Sequence, residues 1–252
     1  MVTLRQLVEY TNNLLNIAEF QDYAPNGLQV EGGSKVEKIV SGVTASLDLV
    51  EAAIREQADV LLVHHGYFWK GEDPCIIGMK QLRVKRLLAS GISLMAYHLP
   101  LDAHPRYGNN VQLARKLGFR INAGYAHEDK GSLVMYGTLS KSMTASDLTT
   151  YISEHLGRTP LYLSGRTSLI RNIAWCTGAA QGYFEEAVAQ GVDAYITGEV
   201  SEQTTHIARE TGVHFFGAGH HATERYGVQA LGDHLVEKFF LKHKFIDIDN
   251  PV

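Results

Sequence analysis

The chain has 252 residues, 45% of them hydrophobic, and carries 23 basic against 27 acidic side chains for a net charge of -4. That is enough apolar chain for a sizeable core in one large domain or two interleaved ones. The acidic balance, with no long Lys/Arg run, excludes the basic footprint of a dedicated double-stranded nucleic-acid binder. No apolar run reaches the roughly 18 residues of a membrane span, and the N-terminus lacks a secretory pattern, so cytoplasmic location is the expectation. Cys75 and Cys176 are far apart and form no CxxC pair, which excludes a thiolate metal site and predicts two buried free thiols.

In chain order, Thr3 with Gln6 predicts a capped first helix carrying Leu4, Leu7, Val8, Leu14, Leu15 and Ala18 at helical spacing. Pro25, Asn26 and Gly27 predict a turn. A strand from Lys38 to Thr44 and a helix from Leu47 to Gln57 lead to Val60–Val63, a continuous apolar run that suits a strand covered on both faces. His64 and His65 follow at its carboxyl end, where open α/β sheets place their ligands. A helix from Met79 to Ser90 and a strand from Ile92 to Ala96 deliver a second polar loop, His98 to Asn110, expected to lack regular structure until a helix near Val111. That loop holds His98, Asp102 and His104.

Further on, Leu133–Leu139 and Leu161–Leu163 read as strands, and Thr144 with Asp147 caps a helix through His155. His127 and His155 lie outside any ligand cluster and are expected to face solvent or bond locally. From Thr177 to Val200 the order of strand, Thr turn, helix, Asp-led strand and polar turn repeats that of Thr44 to Gly66. Asp193 then aligns with Asp59, and Gly198 and Glu199 with His64 and His65. A strand at Val213–Phe216 delivers GHHATER, residues 219–225, much as an earlier one delivers His98. The expected fold class is therefore α/β, with duplicated units on mixed sheets and a metal site between two interleaved halves, residues 1–122 and 123–252.

In GHHATER, His220 and Glu224 stand four apart on one helical face, while His221 pairs with Glu224 at three, so spacing leaves the choice of histidine open. Imidazole and carboxylate without thiolate suit zinc, iron, manganese or nickel. Adjacent histidines rarely share one ion, so two ions bridged by a carboxylate such as Glu224 accommodate His64 and His65 better.

The stretches NGLQV, VHHGYFWKG, HLPLDAHPRYGNN, TGEVSEQ and GHHATER occur in the order found in the Nif-three-like family, also named GTP cyclohydrolase I type 2 homologues. The chain resembles that family over nearly its whole length. The resemblance implies a dinuclear centre with ligands at His64, His65, Asp102, His220 and Glu224, and assembly as a toroidal homohexamer. Two divalent metal ions would give a nucleophilic water without Ser or Cys, so the expected function is a dinuclear metal-dependent hydrolase acting on a nucleotide-like or heterocyclic C–N or amide substrate. His98, His104 and Glu199 are the candidates for proton transfer. Tyr67, Phe68 and Trp69 either wall a pocket or belong to core or interface. Two other readings stand beside the hydrolase: a metallophosphoesterase with Arg106 or Arg225 on the phosphate, and a non-catalytic metal-binding assembly protein.

Overall fold

A computed structural model describes residues 1–123 and 133–252. His127 lies outside the described residues. Two compact units make up the chain: Met1–Asp102 with Gly227–Asp249, and Ala103–Tyr226 with Asn250–Val252. The division falls at Asp102 rather than near residue 122, and the C-terminal segment returns to the first unit. It returns because Val228, Leu231 and Leu235 are buried in that unit's core, a long-range pairing that no local pattern announces.

Elements of the first unit run β1 (Val2–Thr3), α1 (Leu4–Leu14), β2 (Gly27–Val30), β3 (Lys35–Val36), β4 (Lys38–Thr44), α2 (Leu47–Arg55), β5 (Val60–His65), α3 (Gly78–Ala89), β6 (Ser93–Ala96) and α4 (Leu99–Ala103). The second unit contributes α5 (Asn109–Lys116), β7 (Arg120–Ala123), β8 (Met135–Met143), α6 (Ala145–Leu156), β9 (Leu161–Leu163), β10 (Ile170–Trp175), α7 (Phe184–Ala189), β11 (Ala194–Thr197), α8 (Glu202–Thr211) and β12 (His214–Gly217). Helix α9 (His220–Phe239) and strand β13 (Lys242–Phe245) close the chain.

The first unit's main sheet has the order β13-β4-β5-β6-β2, parallel except for β2. Its middle strand β5 is apolar from Val60 to Val63 because both faces are covered. Val60 and Leu62 pack into a cluster with Leu7, Ile39, Met95 and Leu231, while Leu61 and Val63 pack with Val40, Leu49, Leu87 and Leu94. Burial on both faces removes the alternation that an exposed sheet would show. The second unit repeats the scheme in a six-stranded sheet, β7-β8-β10-β11-β12-β9, in which β10, β11 and β12 are parallel and the flanking strands antiparallel. Ile173, Trp175 and Ile196 face one cluster; Ala174, Tyr195 and Phe215 face the other.

The internal repeat extends to single hydrogen bonds. Asp59 Oδ2 accepts from the backbone N–H of Glu37 and Lys38 at 2.8 and 2.9 Å, and Asp193 Oδ2 accepts from those of Arg171 and Asn172 at 2.9 and 2.7 Å. Each aspartate thus ties the start of its own strand to the start of its neighbour. Mixed α/β sheets with duplicated parallel cores are what the sequence pattern predicts.

Two expectations need correction. The loop after His98 is partly regular, because Leu99–Ala103 forms the short helix α4; Pro100 sits in its first turn, where a missing N–H costs nothing. Cys75 is exposed rather than buried, since it lies between β5 and α3 outside either sheet, whereas Cys176 is buried as expected.

Strand β13 is fastened by a polar relay. Ser41 Oγ lies 2.7 Å from His243 Nε2, and His243 Nδ1 lies 2.7 Å from Asp233 Oδ1. Ser41 is completely buried in β4, so this relay of hydroxyl, imidazole and carboxylate holds an edge strand in place and offers no nucleophile to a substrate.

Candidate metal centre

In the first unit the donors gather at the carboxyl ends of β5 and β6. His64 is fully buried and its Nδ1 lies 2.8 Å from the carbonyl oxygen of Tyr97. A carbonyl only accepts, so Nδ1 carries the proton and Nε2 presents a lone pair. That Nε2 stands 3.4 Å from Oδ1 of Asp102, itself buried on α4. Two acceptors facing each other at this distance are stable only with a proton or a cation between them. His65, one residue on, has Nδ1 at 3.1 Å from Thr44 Oγ1, its register partner on β4. The two adjacent rings nevertheless stay close, with centroids 4.6 Å apart.

His98 completes this group. Its Nδ1 lies 2.7 Å from Asp22 Oδ1, and its backbone N–H donates to Asn26 Oδ1 at 2.7 Å. Asp22 also accepts from Leu99 N–H and the Asn26 amide. Burial pushes the Asp22 carboxyl up, but the bond to His98, that ring's charge and the other donors outweigh it and hold it below its ordinary value. The sequence points to neither Asp22 nor Asn26 as a partner of His98, since residues 25–27 read as a turn. An acid four residues ahead of the NGLQV motif and the amide that opens it were the available signal. Gln29, from the same motif, accepts from Tyr67 N–H at 2.7 Å, and Gly66 lets it approach: a Cβ there would fall 2.2 Å from Gln29 Oε1.

The three aromatic residues separate in role. Tyr67 is buried and its hydroxyl donates to Ala45 O, so it belongs to the core. Phe68 has φ +65°, a left-handed conformation unfavourable for a bulky side chain. The next residue, Trp69, stands edge-on to His98 with centroids 5.0 Å apart and 6.0 Å from His65.

In the second unit the donors lie on the first turn of α9 and the loop after β11. His220 Nε2 is 3.0 Å from Glu224 Oε2, as the four-residue spacing predicts, and its Nδ1 is 2.7 Å from Glu199 Oε1. Burial opposes the charged imidazolium, yet the bonds and charges of Glu224 and Glu199 outweigh it and raise its pKa to about 9. Geometry therefore brings His220 to Glu224; His221 is buried, with its backbone N–H on Val252 O. Gly178, at φ +69°, makes room for the carboxylate, since a Cβ there would fall 2.0 Å from Glu224 Oε1.

His104 Nδ1 accepts from the backbone N–H of Arg106 and Tyr107 at 3.2 and 3.0 Å, which leaves the proton on Nε2. Arg225 donates to Leu156 O, while Arg106 lies exposed over Tyr107. His155 bonds locally, its Nδ1 on Tyr151 O.

These observations define an α/β protein with groups of histidine and carboxylate side chains that could hold a metal ion. The donors fit such an ion: buried acceptors face one another, and the Nδ1 atoms of His64, His65, His98 and His220 each meet a protein oxygen, which orients the other nitrogen. The family model described as Duf34/NIF3 (NGG1p interacting factor 3) matches residues 2–251. The chain belongs to the Duf34/NIF3 family. A Pseudomonas aeruginosa relative named GTP cyclohydrolase 1 type 2 homolog is 58% identical over 250 residues, covering 99% of both chains. Another of that name from Allochromatium vinosum is 54% identical, covering 100% of this chain and 98% of its own. Among solved structures, protein ybgI, described as of unknown function, superimposes with TM-score 0.96 at 50% identity over the full length of both chains. A protein from Thermus thermophilus does so with TM-score 0.91 at 33% identity, again over 100% of each chain.

Proposed function

We propose that this protein is a dinuclear metal-dependent hydrolase acting on a nucleotide-like or heterocyclic substrate at a C–N or amide bond. The observation that carries the metal is the buried His64–Asp102 pair, whose facing acceptors a cation would join. The name shared by the relatives supports the substrate class. His64, His65, Asp102, His220 and Glu224 are the proposed ligands of two divalent ions, zinc, iron, manganese or nickel. Such ions supply Lewis acidity toward water and toward a substrate carbonyl.

The remaining polar groups divide the work. Glu199 holds His220 by Nδ1, so it is a positioning residue rather than the proton carrier expected from sequence. His104 Nδ1 is held by two backbone N–H groups, which keeps the ring neutral and leaves Nε2–H as a hydrogen-bond donor to substrate rather than a proton source. Arg225 Nη2 donates to the Leu156 carbonyl oxygen, which anchors one end of the guanidinium away from a phosphate. A toroidal homohexamer in the cytoplasm completes the proposal; among the described residues no helix is long and apolar enough to cross a membrane.

The test is an assay of metal-quantified protein against nucleotides, cyclic amides and phosphoesters. Ring or amide opening that is lost on chelation and restored by metal supports the proposal. Turnover of phosphoesters alone, or of nothing in a broad panel, rejects it in favour of the phosphoesterase or the non-catalytic reading.

A further inference from the structure

Within the second unit, helix α6 ends at Leu156, Gly157 turns the chain at φ +75°, and Arg158 follows with its side chain against the start of α9. The guanidinium packs on buried Gly219, the residue that precedes His220. A Cβ at Gly219 would fall 2.5 Å from Arg158 Nη1, 2.7 Å from Cδ and 3.0 Å from Cζ, so the place exists only because the residue is glycine. This packing closes Nη1 off from solvent, and no acceptor meets it among the described residues. Nε and Nη2 are not closed off in the same way, and no hydrogen bond or ion pair engages them among the described residues.

Several other arginines are paired. Arg5 meets Glu9, Arg86 meets Glu51, Arg166 donates to the Arg209 and Glu210 carbonyls, and Arg225 donates to Leu156 O. The acids nearest the start of α9, Glu199 and Glu224, are engaged with His220, and neither pairs with Arg158. Arg158 thus keeps its positive charge on a half-buried group, with one nitrogen pinned and the Nε–Nη2 edge unspent. Partial burial removes hydration from that charge, and no protein acceptor replaces it. The two N–H groups of such an edge lie parallel in one plane and match the paired oxygens of an oxyanion.

We propose that Arg158 forms an oxyanion site in the second unit and holds the phosphate of a nucleotide-like substrate through its Nε–Nη2 edge. Gly219 fixes the guanidinium one peptide away from His220, so the phosphate is held next to the turn that carries this proposed ligand. The phosphate orients the substrate and is not the group that reacts. Arg158 is neither of the arginines that the sequence offers for a phosphate, Arg106 and Arg225. Assigning the anion to a substrate rests on the hydrolase reading above, whereas the oxyanion site itself does not.

Full-length protein, as purified and again after chelation, is titrated with inorganic phosphate by isothermal calorimetry. The parent should bind it in both states, more weakly as salt rises. After chelation, Arg158→Ala should weaken binding by at least about tenfold, and Arg158→Lys, which keeps the charge but loses the fork, should fall between them. Arg106→Ala should bind as the parent does. A nucleoside monophosphate should bind more tightly than its nucleoside or inorganic phosphate, and Arg158→Ala should close the gap between nucleotide and nucleoside. Parent affinity for phosphate in Arg158→Ala with an intact circular dichroism spectrum, or no phosphate binding by the parent, overturns the inference. Equal binding of inorganic phosphate and the monophosphate makes this a free-phosphate site and overturns the substrate assignment. A change of light-scattering mass in Arg158→Ala means that the arginine pairs with a second copy, which also overturns it. Phosphate binding without hydrolysis of any substrate removes only the hydrolase reading; ring or amide opening without phosphate binding removes only this inference.

Discussion

His220 is held between two carboxylates, and the metal-free imidazole stays protonated until about pH 9. An incoming cation must displace that proton, so affinity should rise as pH increases toward 9, with proton release on binding. Calorimetry in buffers of differing ionisation enthalpy measures the released proton; heats independent of buffer would contradict the arrangement. Glu199→Gln should weaken binding by roughly 10- to 100-fold, because it removes the charge that holds Nδ1. At this scale the sequence shows the histidine and carboxylate groups and the His220–Glu224 spacing. It did not reveal Asp22 or Asn26, because their partners, His98 and Leu99, are more than 70 residues away and reach them only through the fold. Tyr67 gives a second test. Burial pushes its phenol from 10.0 to about 12, so the stability from keeping it neutral is complete below pH 10 and is lost as pH rises through 12. Tyr67→Phe should therefore flatten the fall in Tm over that interval, and an unchanged slope would place the effect elsewhere.

Among the elements, β4 and β5 were readable almost to the residue, because strands covered on both faces are dominated by apolar side chains. Helix α4 was not readable: five residues between two histidines, with a proline among them, carry no period, and a tertiary bond to Asp22 decides its start. The paired aspartates Asp59 and Asp193 show why the repeat was visible, since each must accept two strand-start N–H groups in its own sheet. Asp59→Ala and Asp193→Ala should each cost about 1.5–3 kcal/mol of unfolding free energy, as expected for hydrogen bonds to a charged acceptor. Denaturant midpoints measure this, and a cost near zero at both positions would mean that the equivalence is not structural. Strand β13 pairs with β4 far from it in sequence, which is why a division near residue 122 could not anticipate its place in the first unit.

For the whole molecule, duplication explains how one chain comes to place two sets of donors at strand ends, histidine-rich in the first unit and carboxylate-rich in the second. Light scattering should find a ring of six; a stable monomer at micromolar concentration would remove the assembly from the account. Metal binding is the central claim, and elemental analysis of the purified parent, His64→Ala and Glu224→Ala proteins tests it most directly. The account predicts about two transition-metal ions per parent chain and loss of at least one in each variant. Full retention in both variants, or a parent free of metal after purification and reloading, would contradict it.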